Sequence, residues 1–207
     1  MYNTIIFDVD GTLMDTERAV LGSLQKMLKI DYDRDIETHE LYFVLGIPGV
    51  YSLKELGIHD IHKAHARWEH FMKDFYHSIE VFGGISDLLI TLKQRNINQG
   101  IVTSKTTQEL QDDFVPFGLM DQLTHFVCAD DTLKHKPNPE PLLKFLEISG
   151  ADPVTSIYIG DTIYDYECAR DAGVDFGLAL WGCKDHTKIP AKYKFEQPND
   201  IIKLLSN

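Results

Sequence analysis

The chain has 207 residues, 43% hydrophobic and 25% charged, enough for one sizeable core with a modest insertion and ordinary for a globular protein. Twenty Lys and Arg against 32 Asp and Glu give a formal net charge of -12. That balance argues against nucleic acid and anionic membrane as partners, while leaving room for a local basic pocket that binds a small phosphate. No apolar run approaches the roughly 18 residues of a membrane span. The start, MYNTIIFDVDG, meets an acid at position 8, before any secretory apolar stretch could form. Cys128, Cys168 and Cys183 are scattered and make no CxxC pair, so they read as thiols and the expected address is cytoplasmic.

Short β-branched runs alternate with helical patterns, which predicts an α/β fold built on a parallel sheet. The first strand is TIIF, residues 4–7, and FDVDGT follows it. Carboxylates at i and i+2 on an extended chain point the same way. Asp8 and Asp10 so placed repel each other unless a cation lies between them or one takes a proton. Gly11 permits a sharp turn that can bring N–H groups towards an anion. Alone, the motif fits a solvated acidic turn as well.

Residues 15–82 show no convincing buried strand. Val20, Leu21, Leu24, Met27 and Leu28 make one helical apolar face, and Ile61, Ala64, Trp68, Phe71, Met72 and Phe75 make another. Between them, residues 44–58 carry Gly46, Pro48 and Gly49 and read as a loop. The expected arrangement is a helical cap, 15–82, inserted into a core made of 1–14 and 83–207, with hinges near 14–18 and 78–83. His59, His62 and His65 stand at helical spacing. With no carboxylate or cysteine evident beside them to complete a metal site, they read as partly solvated helix positions.

A helix carrying Ile85, Leu88, Leu89 and Leu92 leads to a strand at 100–103. At its end, IVTSKT offers the Thr103 hydroxyl and the Ser104 backbone N–H as donors to a phosphoryl oxygen. Thr106 and Glu109 have capping-box spacing for the next helix, which carries Leu110 and Phe114 and stops near Gly118. A strand at 126–129 precedes HKPNPEP, where two prolines stiffen the loop behind Lys136. A lysine held there can neutralise a carboxylate nucleophile and a transferring phosphoryl group. Asn138 and Pro139 read as cap and first residue of a helix burying Leu142, Leu143 and Leu146 and ending near Gly150. The strand at 156–159 delivers GDTIYD, whose Asp161 and Asp165 form an (i, i+4) carboxylate pair of the hard-oxygen kind that suits Mg²⁺. The next helix ends at Gly173, and a weaker strand lies at 174–180. Asp8 and Asp10, Thr103 and Ser104, and Asp161 and Asp165 follow three strand ends, so these segments gather on one rim of the sheet, where open parallel sheets bind ligands.

With DVDGT, Thr103, Lys136 and GDTIYD in this order, the sequence resembles the haloacid dehalogenase superfamily, in particular its phosphoglycolate phosphatase-like members with a helical cap. The resemblance implies a Rossmann-like, three-layer α/β/α core with an inserted helical cap. It implies that Asp8 attacks phosphorus to form an aspartyl-phosphate, and that Asp10 protonates the leaving oxygen and then activates water. Mg²⁺ would be held by Asp8, the Asp10 backbone carbonyl and Asp161, with Asp165 supporting it, while Gly11, Thr103, Ser104 and Lys136 would bind the phosphoryl group. A small phosphorylated metabolite is the implied substrate, and Gly46, Ile47 and Pro48 of the cap loop are expected to set specificity. The expected assembly is a monomer or homodimer. A sugar-phosphate mutase of the same superfamily is the nearest alternative, but those commonly carry a histidine where this chain has Val20. A non-catalytic phosphate-binding protein should have lost one of Asp8, Asp10, Lys136 or Asp161, and none is lost.

Overall fold

Thr4–Phe7 forms the first strand, β1, and all four residues are buried. A strand covered on both faces has no solvent side, which is why TIIF shows no polar alternation. Ile5 and Phe7 pack into one apolar cluster and Ile6 into another, the period of two that a pleated strand imposes. The structure, a computed structural model, describes residues 2–205.

After β1 come β2 (Met14–Asp15), α1 (Glu17–Tyr32), α2 (Gly49–Glu55), α3 (Ile61–Met72) and β3 (Glu80–Val81). Then follow α4 (Ile85–Gln94), β4 (Asn98–Val102), α5 (Thr107–Asp113), β5 (His125–Val127) and α6 (Glu140–Ser149). The chain closes with β6 (Ser156–Gly160), α7 (Ile163–Ala172), β7 (Asp175–Ala179), β8 (Tyr193–Phe195) and a 3-10 helix, Pro198–Leu205. Six strands form one sheet in the order β5-β4-β1-β6-β7-β8, every pairing parallel. The chain builds outward from β1 first to one side and then to the other. The crevice of such a sheet opens beside the central strand, at its carboxyl end. Ile85, Leu88, Leu89 and Leu92 of α4 cover one face with Leu110 and Phe114, while Leu142 and Phe145 of α6 and Cys168 and Ala169 of α7 cover the other. This is the expected three-layer core.

The insertion is wholly helical. Leu21, Leu24, Met27 and Leu28 of α1 are fully buried against α3 and α2, each burial stabilising by about 1.5–3 kcal/mol. The Trp68 indole of α3 donates to Ser23 Oγ at 2.9 Å, tying the two long helices together. The chain leaves and re-enters the core side by side, because β2 and β3 pair as an antiparallel ribbon.

Several expectations need correction. Residues 44–58 are not simply loop: Gly46, at φ 90, makes the turn, and Pro48 then precedes the helix α2. Proline disfavours a helix interior and is tolerated at its start, so it marked a beginning rather than a gap. In α6 the cap is Pro139, not Asn138, whose side chain instead accepts from the Glu140 N–H at 3.0 Å. Leu143 is half exposed, and Phe145 takes the core position. The sixth strand, YKF, escaped notice because it lies at the sheet edge and is only three residues long. Among the described residues no helix is long and apolar enough to cross a membrane, and the three cysteines are free thiols.

Candidate active site

Asp8 is the first residue beyond β1, and its N–H, donating to the Ile159 carbonyl at 2.9 Å, continues the pairing with β6. Its side chain is buried. Oδ1 lies 2.9 Å from the Lys136 ammonium, while buried Oδ2 has no hydrogen-bond partner among the described residues. Lys136 also lies 2.6 Å from Asp165 Oδ1 and 3.1 Å from the Tyr158 hydroxyl. Burial alone would lower the lysine's pKa, but the carboxylates of Asp165 and Asp8 overcome it and hold the ammonium charged. The other oxygen of Asp165 accepts from the N–H and hydroxyl of Thr162, at 3.0 and 2.6 Å, as one half of the capping box that starts α7. One carboxylate thus starts a helix and fixes a lysine.

Asp161 precedes that cap and accepts from the Thr12 hydroxyl at 3.2 Å. Oxygens of Asp8, Asp161 and Asp165 lie within 4.8 Å of one another, all three residues buried. Burial pushes the Asp8 carboxyl up to about 7, with Asp165 and Asp10 adding to the rise and Lys136 opposing it. Asp161 is also raised, by burial and then by Asp165 and Asp8. Three buried carboxylates, with Asp8 Oδ2 left unpartnered among the described residues, make an all-oxygen donor set that fits a small hard cation.

Gly11 shapes this site rather than donating to it. Its N–H is already given to the Met14 carbonyl at 2.8 Å, contrary to the phosphate-binding role expected of it. The glycine is required for another reason: φ is 75, and an added Cβ would lie 2.2 Å from Asp161 Oδ2. Asp10 lines the space beneath the helical insertion together with Asp8. Its Oδ1 accepts from the Thr16 hydroxyl at 2.6 Å and lies 3.0 Å from the Lys105 ammonium. The Thr103 hydroxyl oxygen, buried just past β4, accepts from the Lys105 N–H at 3.2 Å. Ser104 donates its hydroxyl to the Gly46 carbonyl at 2.9 Å, a direct bond between the core and the insertion.

A cavity of about 370 Å³ lies between core and insertion, with Asp8 and Asp10 on its floor. Gly46 and Ile47 line it as expected, whereas Pro48 is buried at the start of α2 and does not. Reasoning from sequence also missed several residues. Lys105 is buried between Asp10 and Asp113, 2.8 Å from the latter. Its signal was legible: Asp113 falls between Leu110 and Phe114 in the apolar stripe of α5, where an unpaired carboxylate would be costly. His65 does have carboxylate neighbours, with Glu69 at 3.3 Å and Glu109, from α5, at 3.5 Å. The second of these is contributed by the fold and was invisible in the local sequence. Trp181 donates to the Thr12 carbonyl at 2.9 Å and braces the loop under Asp161.

The sequence profile of the haloacid dehalogenase-like hydrolases matches residues 5–179. The chain is 29% identical to a phosphoglycolate phosphatase of Aquifex aeolicus, over 98% of this chain and 96% of that protein. It is 26% identical to the pyrophosphatase PpaX of Oceanobacillus iheyensis, over 99% and 97%. A solved Lactobacillus plantarum structure, provisionally assigned as a phosphoglycolate phosphatase, is 31% identical, covers 99% of each chain and superimposes with a TM-score of 0.91. The chain belongs to the haloacid dehalogenase-like hydrolase family and is an enzyme of the phosphatase kind.

Proposed function

We propose that the protein is a Mg²⁺-dependent phosphatase that hydrolyses a small phosphorylated metabolite through an aspartyl-phosphate on Asp8. The observation that carries this is the buried, unpartnered Asp8 Oδ2 at the carboxyl end of the central strand, beside Lys136 and facing the cavity. An Asp8 oxygen attacks phosphorus, the bond from phosphorus to the leaving oxygen breaks, and Asp10 gives that oxygen its proton. Asp10 then takes a proton from water, which attacks the phosphoryl group, frees phosphate and restores Asp8. Asp8, Asp161 and the Asp10 backbone carbonyl, supported by Asp165, would hold Mg²⁺, which would supply positive charge to the phosphoryl group. Lys136 neutralises charge on the phosphoryl group and on Asp8, and the Thr103 hydroxyl and Ser104 N–H donate to the phosphoryl oxygens.

Residues 15–82 act in this reading as a cap over a core of 1–14 and 83–207, the β2–β3 ribbon being its double crossover. Free thiols and the acidic surface suit a cytoplasmic setting. The relatives make phosphoglycolate and pyrophosphate natural first trial substrates. The test is phosphate release from a panel of phosphate esters, with Mg²⁺ or excess chelator. Asp10→Asn should lower kcat by roughly 10²–10⁴-fold. Release that survives both the chelator and this substitution would refute the proposal.

A further inference from the structure

The cavity beyond the phosphoryl site has a charge of its own. Glu69, from the insertion, and Glu109, Asp112 and Asp113, from α5, line it above Asp8 and Asp10. Two lysines and two histidines, His65 and His70, share the lining with these acids, and His65 lies 3.3 Å from Glu69 and 3.5 Å from Glu109. Lys105 is already engaged with Asp10 and Asp113, and Lys73 is exposed at the mouth. Asp113 is 7% exposed, and its Oδ1 is buried without a hydrogen-bond partner among the described residues. Burial pushes its carboxyl up to about 6, even beside Lys105. A buried acceptor left unmet costs about 1–3 kcal/mol, so a donor supplied by the ligand gains at this wall. Trp68 and Tyr76 line the same chamber, and aromatic faces beside carboxylates are the surroundings that bind an ammonium group well. At about 370 Å³ the chamber holds a small organic group and has no arginine to fork onto a second anion.

We infer that the leaving alcohol of the substrate carries a protonated amine, so that the preferred substrates are amine-bearing phosphomonoesters. This rests on the phosphatase reading above and deepens it. The amine sits against Asp113, Glu109 and Glu69, while the phosphoryl end meets Lys136 and Asp8. A leaving group with a carboxylate or second phosphate meets four carboxylates there, and like charges so placed disfavour binding.

The test compares kcat/KM for three esters of similar size: 2-aminoethyl phosphate, ethyl phosphate and phosphoglycolate, whose leaving groups are cationic, neutral and anionic. The expected order is cation, neutral, anion, with roughly tenfold or more between the first and the last. Glu69→Gln combined with Asp112→Asn, both at exposed positions, should pull that ratio towards one, as should Asp113→Asn in a sample whose fold is checked by circular dichroism. Turnover of all three esters with phosphoglycolate preferred would overturn the inference and leave the phosphatase reading standing. Failure of all three, and of a generic aryl phosphate, would overturn both. A preference for the amine that none of the variants alters would show that these carboxylates do not read it, and would overturn the inference as argued.

Discussion

The floor and the roof of one cavity are built in opposite ways. On the floor nearly every polar atom is tied: Lys136 meets Asp8, Asp165 and Tyr158, Asp165 meets Thr162, and Asp161 meets Thr12. The roof offers aromatic faces, apolar side chains and few fixed bonds, and it is joined to the floor at only a few points such as Ser104–Gly46 and His65–Glu109. A preorganised floor suits chemistry that must stabilise charge without rearrangement, whereas a loosely tied roof can open, admit and choose. In the proposed reading the reaction falls to the floor, and the choice of substrate to the insertion together with α5.

The contrast breaks first at Lys136. Lys136→Met leaves the buried Asp8 and Asp165 without their cation, and breaking a buried pair in this way costs about 3–5 kcal/mol. Urea denaturation should show that loss in the absence of metal. The pH dependence of the metal-free protein is the next largest effect. Asp8 titrates at about 7 in the fold against 3.8 when unperturbed, so between these values the folded state holds more protons than the unfolded one. Stability should therefore fall as pH rises through that window, by up to about 1.4 kcal/mol per unit. Mg²⁺ should offset the fall, so its increment in Tm should be small near pH 5 and large above pH 7.

Gly11→Ala strains a backbone at φ 75 by about 1–2 kcal/mol and drives a methyl into the Asp161 carboxylate. Calorimetric titration should show a loss of Mg²⁺ affinity larger than the loss of stability. The smallest effect belongs to the seam. Ser104→Ala removes one bond between roof and floor, worth about 0.5–1.5 kcal/mol, and should raise KM several-fold with little change in kcat. A fall in kcat alone would mean that Ser104 serves the chemistry and not closure.

The same contrast explains what could be read from the sequence. TIIF, the Thr106–Glu109 capping box and the Gly150 and Gly173 helix ends depend on local propensity, and the structure agrees with them. Asp8 and Asp161 were legible because each follows a strand and a parallel sheet collects its strand ends on one rim, whereas Lys136 stood out by the prolines that follow it. The Lys105–Asp113 pair, the Glu109 contact of His65 and the occupied N–H of Gly11 were not assigned, since each depends on how distant or turned segments meet. The insertion was recognised as helical, yet α2 was taken for loop because its glycines and proline signal a turn and a helix start alike.

The central claim is that Asp8 carries the phosphoryl group. The direct measurement is an acid quench of Asp10→Asn during turnover with Mg²⁺ and an aryl phosphate, whose leaving group departs without a proton, followed by mass spectrometry of the peptide that contains residues 4–14. The account predicts one added phosphoryl group on Asp8, labile to hydroxylamine and absent when Asp8→Asn is combined with Asp10→Asn. Phosphate release by the wild type, with the phosphoryl group found on another residue or on none, would contradict it.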